Sequence, residues 1–320
     1  MSAPVTVVVG AHSMRRWPYL CRAVQSARTQ QPAPAEIVVV VDHNEELLGR
    51  VVAEIPAVTV LRNRYHRGAS GTRNTGAEHA RTDLIAFLDD DAAARPGWLA
   101  ALVEPFSDES VVGTGGDVQP LWEVGRPRWF PAEFHWVVGA SYAGMPVVRT
   151  RVRNVWSENM AVRRSVFAAV GGFRIGFGKL GDRSRPEDTD LCIRMAAARL
   201  GAVWLHVPDA VADHRVPADR STFRFFLRRC YHEGWGKIEL ARLLNRPGSL
   251  ASESAYLRRL LPAAVVHGLA DTIRGRPWGA ARSAAIVAGV LATALGVVRA
   301  QVSLARPGRR PVVVADGGVA

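Results

Sequence analysis

Leu84-Ile85-Ala86-Phe87-Leu88 runs without interruption into Asp89, Asp90 and Asp91. Five apolar residues ending in three carboxylates predict a buried strand of a parallel sheet whose carboxyl edge carries concentrated negative charge. Adjacent carboxylates repel one another, and a strand edge tolerates them most readily beside a counter-ion. A divalent ion such as Mg²⁺ or Mn²⁺ fits, because it binds through one or two carboxylates and completes its shell with water and phosphate oxygens. The plainer alternative is a solvated acidic loop.

The residues before this strand supply a sheet for it. Val5 to Val9, Glu36 to Val41 and Val58 to Leu61 read as strands that alternate with helical segments at Tyr19 to Arg28 and Glu45 to Ile55. That alternation predicts an α/β fold, a doubly wound, mostly parallel sheet with helices on both faces. Ligands bind such sheets at the carboxyl ends of the strands, which singles out the turn Gly10-Ala11-His12-Ser13, Asp42 and the three aspartates. The segment from Gly68 to Gly76, with Ser70, Thr72 and Asn74 between its glycines, is expected to be a flexible turn feeding a helix from Ala77 to Arg81. Such a turn can offer backbone N–H groups to an anion. It follows the third strand, whereas a dinucleotide-binding dehydrogenase places its glycines after the first; that class is disfavoured.

Downstream, Pro96-Gly97-Trp98 opens a short helix, and Val111 to Asp117 reads as a further strand. From Leu121 to Pro146 the chain is rich in aromatic residues, prolines and glycines, and Trp129 there could face a sugar or lipid acceptor or pack beneath a long loop. A helix from Arg163 to Val170 is closed by Gly171-Gly172. Glu187, Asp188 and Asp190 precede a helix from Leu191 to Ala198, a place where acids also suit the helix dipole. Ala202 to Val207 reads as a strand, followed by Asp213-His214-Arg215. The long helix expected from Phe223 to Leu244 carries Arg228 and Arg229, either a solvated basic face or a clamp on phosphate.

The formal charge of +12 is unevenly placed. Residues 242–310 hold eleven arginines against only Glu253 and Asp271, a surplus of nine. Charge alone would suit nucleic acid, but Ser283 to Val298 is an uncharged, mostly apolar run flanked by Arg282 and Arg299. Its 16 residues fall short of the roughly 20 that span a bilayer. The expectation is a basic helical tail lying on an anionic membrane surface, with a core-packing helix as the alternative. Three widely spaced cysteines, Cys21, Cys192 and Cys230, indicate neither a disulfide framework nor a zinc site and fit a reducing cytoplasm. No secretory signal is legible before Val5.

Val41-Asp42, the Gly-x-Ser-Gly-x-Arg-Asn-x-Gly at 68–76, Asp89 to Asp91, Gly171-Gly172-Phe173 and Glu187-Asp188 together resemble a family 2 glycosyltransferase with the GT-A fold. Arg126-Pro127-Arg128-Trp129-Phe130-Pro131, Asp213 to Pro217 and Arg229 to Gly234 are similar to bacterial relatives of the glucosyl-dolichyl phosphate glucuronosyltransferases. The resemblance implies a nucleotide-sugar donor, UDP-linked, and Mg²⁺ or Mn²⁺. It implies that Asp42 accepts a hydrogen bond from a uracil N–H, that Ala11, Arg73, Asn74, Asp89 and Asp90 line the nucleotide-sugar, and that Asp91 and His214 hold the metal. Asp188 becomes the base that deprotonates an acceptor hydroxyl, and Glu187, Trp129, Arg228 and Arg229 face acceptor or diphosphate. The acceptor would be a glycan, a lipid-linked saccharide or a small hydroxyl compound.

Two positions depart from the family pattern: the turn Gly10 to Met14, and Ser157-Glu158, where small residues are common. The domain plan expected is a nucleotide-sugar half at 1–120, an acceptor and base half at 121–241, a basic helical extension at 242–310 and a disordered tail at 311–320. The localisation expected is cytoplasmic, peripheral on the inner face of the cell membrane. A nucleotidyltransferase of the same fold class and a non-catalytic membrane-associated sugar-binding protein are the alternatives.

Overall fold

The computed structural model describes residues 3–180, 183–244 and 256–305; the tail at 311–320, expected to be disordered, lies outside them. The chain alternates β1 (Val5–Ala11), α1 (Trp17–Arg28), β2 (Glu36–Val41), α2 (Glu45–Glu54), β3 (Thr59–Arg62), α3 (Ala69–His79) and β4 (Leu84–Asp89). It continues through β5 (Ala92–Ala94), α4 (Trp98–Val103), β6 (Val111–Trp122), β7 (Thr150–Val152), β8 (Asn159–Arg163) and α5 (Arg164–Ala169). A small hairpin of β9 (Gly178–Leu180) and β10 (Arg183–Arg185) leads to α6 (Glu187–Ala198), β11 (Val203–Val216), α7 (Phe223–Leu243), α8 (Leu261–Ile273) and α9 (Gly279–Ala305).

The main sheet has the order β3-β2-β1-β4-β8-β6-β11-β5, with β7 beside β11. β1 to β4 are parallel, β8 runs antiparallel between β4 and β6, and β11 returns parallel to β6. Alternate residues of β1 serve opposite layers, as the two-residue period of a strand requires. Val7 and Val9 join a core with Leu20, Leu47 and Trp98, while Val8 joins another with Phe87, Phe167 and Leu191.

Two elements differ from the sequence expectation. The glycine-rich segment is itself α3, and of its glycines only Gly68, the residue before the helix, has a positive φ, 142°. A Cβ on Gly76 would collide with Val8, and one on Gly71 would lie 2.8 Å from the Tyr65 Cβ. Gly76 lets the helix lie against the sheet and Gly71 lets it lie against the loop at 63–66, so neither is there for flexibility. β11 is 14 residues long where a short strand ending at Val207 was expected. The ladder with β6 shifts between Val207 and Val211, so the strand passes Pro208 through an irregularity and continues to Val216.

A third core joins the aromatic segment to the C-terminal helices. Phe130, Phe134, Val216, Phe226, Leu261 and Ile286 are all buried within it. The Tyr256 hydroxyl donates to the Glu133 carbonyl at 2.7 Å and accepts from Trp136 Nε1 at 3.1 Å. α9 lies on α7 at backbone contact: a Cβ on Gly234 would strike the Thr293 carbonyl, and one on Gly296 the Tyr231 carbonyl. The helix is 27 residues long, so the apolar run counted as 16 belongs to an element that by length and composition could cross a bilayer.

Candidate active site

The carboxyl ends of β1, β2 and β4 stand level, with Ala11 beside Val41 and Gly10 beside Asp89. They open into a cleft of about 830 Å³ that is closed on its other sides by the 136–139 and 153–158 segments, the start of α6, and α7. Ala11, Asp42, Arg73, Asp89, Asp90, Asp91, Glu187, Asp188, His214, Arg228 and Arg229 all line it. Asp42 is fixed by Asn63 Nδ2 at 2.7 Å and by the Gly68 N–H at 2.9 Å.

Two expected site residues lie elsewhere. Asn74 is 4% exposed, and its side-chain amide is consumed by Phe173: Nδ2 donates to the Phe173 carbonyl and Oδ1 accepts from the Phe173 N–H, both at 2.8 Å. It locks the Gly172-Phe173 turn onto α3 and does not line the cleft. Trp129 packs tilted on Phe130 and edge-on to Phe223 and Phe226 at centroid distances of 5.1–5.6 Å, and it belongs to the aromatic core rather than to the cleft.

The three aspartates have protein counter-ions already. Arg73 Nη2 lies 2.7 Å from Asp89 Oδ1. Arg16 reaches Asp90 Oδ1 at 2.5 Å and Asp91 Oδ2 at 2.9 Å. His214 Nε2 lies 3.4 Å from Asp91 Oδ1. Self-repulsion of the acidic run therefore does not by itself call for a metal, contrary to the argument from sequence. The environments then separate the acids. Burial, reinforced by Asp91 and opposed by Arg16, pushes the Asp90 carboxyl up to about 7. Burial would also raise Asp91, but His214 and Arg16 overcome it and hold that carboxyl well below the usual range.

His214 arrives because β11 pairs with β5 in a register that sets it opposite Ala92, the residue after Asp91, while the Arg215 N–H donates to the Asp91 carbonyl at 2.9 Å. Burial would lower the imidazole, but Glu158 and Asp91 hold it up at about 9. His214 Nδ1 is buried with no hydrogen-bond partner, and Asp91 Oδ2 is buried with only the Arg16 ion pair at 2.9 Å. Asp91, held ionised, stands beside the ring of His214, a carboxylate and an imidazole that suit Mg²⁺ or Mn²⁺ once the ring gives up its proton. Among the described residues no group of three potential ligands forms a cage.

Asp188 sits in the first turn of α6, where it accepts from both the hydroxyl and the N–H of Ser157. Burial raises its pKa against the pull of Arg73. Burial and Asp188 push Glu187 up to about 8. The third acid of that turn, Asp190, has left the site: it is fully buried and paired with Arg174 and Arg194. On α7, Glu233 lies between Arg229 at 3.1 Å and Lys237 at 3.6 Å, so the basic face is an ordered network.

Sequence reasoning missed Arg16 in any role and saw Ser157 and Glu158 only as departures from a pattern. Glu158 lines the cleft 4.0 Å from His214, and burial together with Asp89 and Asp188 raises its carboxyl to about 8. The available signal was position: Arg16 follows the carboxyl end of β1, and Glu158 precedes β8, a neighbour of β4.

This architecture is shared by the glycosyltransferases of the GT-A fold. A mannosyltransferase from Pyrobaculum calidifontis in complex with GDP-Man and Mn²⁺ superposes with a TM-score of 0.54 at 20% identity, over 96% of this chain and 82% of that one. GalNAc-T7 with UDP, GalNAc and Mn²⁺ gives a TM-score of 0.52 at 20% identity, over 75% of this chain and about half (51%) of that one.

Residues 6–171 match glycosyl transferase family 2. The chain is 33% identical to the glucosyl-dolichyl phosphate glucuronosyltransferase of Haloferax volcanii over 84% of its own length and 87% of the relative's. It is 26% identical to the succinoglycan biosynthesis protein ExoM of Rhizobium meliloti over 71% and 72%. The protein belongs to glycosyl transferase family 2 and is a glycosyltransferase. Membership sets aside the nucleotidyltransferase and the non-catalytic sugar-binding protein.

Proposed function

We propose that the protein is an inverting, metal-dependent enzyme that moves a sugar from a UDP-linked donor to a hydroxyl of a lipid-linked saccharide, working as a peripheral protein on the cytoplasmic face of the membrane. The observation that carries this reading is Asp188, a half-buried carboxylate of raised pKa held by Ser157 in the cleft that also contains Asp91 and His214. A carboxylate so placed takes the acceptor proton as the acceptor oxygen attacks the anomeric carbon. The bond from that carbon to the phosphate oxygen breaks, and the nucleoside diphosphate leaves with the electron pair. Asp42 offers an acceptor to the base, and Arg73, Arg228 and Arg229 line the cleft as cations for the leaving group. A divalent ion held by Asp91 and His214 would neutralise charge on the departing diphosphate.

The membrane part of the reading is supported by α9. Val287, Leu291, Leu295, Val298 and Val302, each 47–64% exposed, recur at helical spacing along its outer side. Its inner side is committed to α7, which favours a helix lying in the interface over one surrounded by lipid. Trp278, 45% exposed at the corner between α8 and α9, and the nearby Arg274, Arg276 and Arg282 suit an anionic headgroup layer. Deleting α8 and α9 would not test this, since it would uncover Phe134, Phe226 and the α7 backbone.

The test uses the full chain with a UDP-sugar, Mn²⁺ and a polyprenyl-linked saccharide in anionic liposomes. UDP release that depends on the acceptor is expected, and the Leu291→Ser/Leu295→Ser variant should bind the liposomes more weakly while remaining folded. Absence of UDP-sugar turnover with any hydroxyl acceptor would overturn the reaction. Equal liposome binding by wild type and variant would overturn the membrane placement.

A further inference from the structure

Arg16 ends a short 3₁₀ turn, Met14–Arg16, that is capped by Ser13, whose hydroxyl accepts the Arg15 N–H at 3.3 Å. The next residues, Trp17-Pro18, begin α1, so the backbone of Arg16 is fixed between a cap and a proline-led helix start. Its side chain, 22% exposed, lines the cleft and spans Asp90 and Asp91, with Nη1 at 2.5 Å and Nη2 at 2.9 Å. Because His214 covers the other oxygen of Asp91 at 3.4 Å, each oxygen of that carboxylate faces a protein cation.

A bare divalent ion approaching Asp91 therefore meets the Arg16 guanidinium already in place at 2.9 Å and must displace it. A nucleoside diphosphate changes the balance. It brings oxyanions that the planar fork of an arginine binds as well as it binds carboxylates, so the guanidinium has an alternative partner within the same cleft.

Building on the donor reading above, we propose that Arg16 is a positioning residue that makes divalent-ion binding conditional on the nucleotide diphosphate. Without nucleotide, Arg16 occupies Asp90 and Asp91 and keeps the ion's affinity low. With nucleotide, it passes to the diphosphate and leaves Asp91 to the ion. Ion and nucleotide then bind cooperatively, and linkage requires each to tighten the other by the same factor. The competing reading is that Arg16 is a brace that stays on the aspartates in every state.

The experiment titrates the full-length protein with Mn²⁺ alone, following free Mn²⁺ by electron paramagnetic resonance, and then repeats the titration with saturating UDP. Wild type should bind Mn²⁺ weakly alone and more tightly with UDP. In Arg16→Gln, Mn²⁺ alone should bind about tenfold more tightly, the effect of removing one adjacent like charge. The factor by which UDP improves Mn²⁺ affinity should shrink to match. Should Arg16→Gln fail to fold because Asp90 is left buried with only His12 beside it at 3.6 Å, Arg16→Gln/Asp90→Asn removes that charge as well and carries the same expectation. Equal or weaker Mn²⁺ binding in the variant, with the UDP effect unchanged, would establish the brace and overturn the proposal. If no protein binds UDP at all, the donor reading fails, while the Mn²⁺-alone comparison still decides the role of Arg16.

Discussion

Asp188→Asn should lower the rate of sugar transfer by about 10²- to 10⁴-fold, the usual range for loss of a positioned general base, while the affinity for UDP stays close to that of the wild type. The substitution preserves shape. Ser157 donates its hydroxyl and N–H to this side chain, and an asparagine carbonyl still accepts from it. Arg73 remains held by Asp89 at 2.7 Å, so the donor end of the cleft keeps its arrangement. The acceptor chemistry sharpens the test. A hydroxyl has a pKa far above neutral and needs a base, whereas a polyprenyl phosphate is already an oxyanion and does not. Transfer by Asp188→Asn at the wild-type rate would therefore remove Asp188 as the base and point to a phosphate acceptor or to Glu187, its neighbour in the first turn of α6.

Asp91→Asn acts at the opposite end of the reaction. Among the described residues Asp91 is the one carboxylate that contacts both His214 and Arg16, and those contacts hold it ionised. An amide there keeps the volume but gives up the charged ligand. Metal stabilisation of a leaving diphosphate is worth several kcal/mol, so a loss of about 10²- to 10³-fold in kcat is expected. Excess EDTA should reduce the wild type by a similar factor, and added Mn²⁺ should restore the wild type but not the variant. Wild-type turnover at full rate in excess EDTA would contradict the metal reading.

The parts of this site that could be read from sequence are those where one segment carries its own signal. Valine runs fixed β1 and β2 within two residues of their ends, and Leu84 to Asp89 announced both a buried strand and the edge on which the cleft lies. The helix at 223–243 was legible because its apolar positions repeat over 21 residues. The glycines of α3 misled because glycine has two uses, and nothing local tells a positive φ at Gly68 from close packing at Gly76 against Val8. β11 was cut short because Pro208-Asp209 interrupts its apolar run, while the partners that carry it onward, β6 and β5, pair with it from more than ninety residues away. Arg16 and Asp90 stand 74 residues apart, and Asn74 and Phe173 are separated by 99. No periodicity reports such pairs, so the internal neutralisation of the aspartates and the structural use of Asn74 emerge only from the folded chain.

The proposed reaction needs a base, Asp188, on one side of the transferred sugar and the diphosphate near Asp91 and His214 on the other. In-line attack between them inverts the anomeric centre. The direct measurement is the anomeric configuration of the product, read from its proton coupling constant by NMR after reaction with an α-linked UDP-sugar and Mn²⁺. A β-linked product is the predicted result, and an α-linked product would contradict the claim.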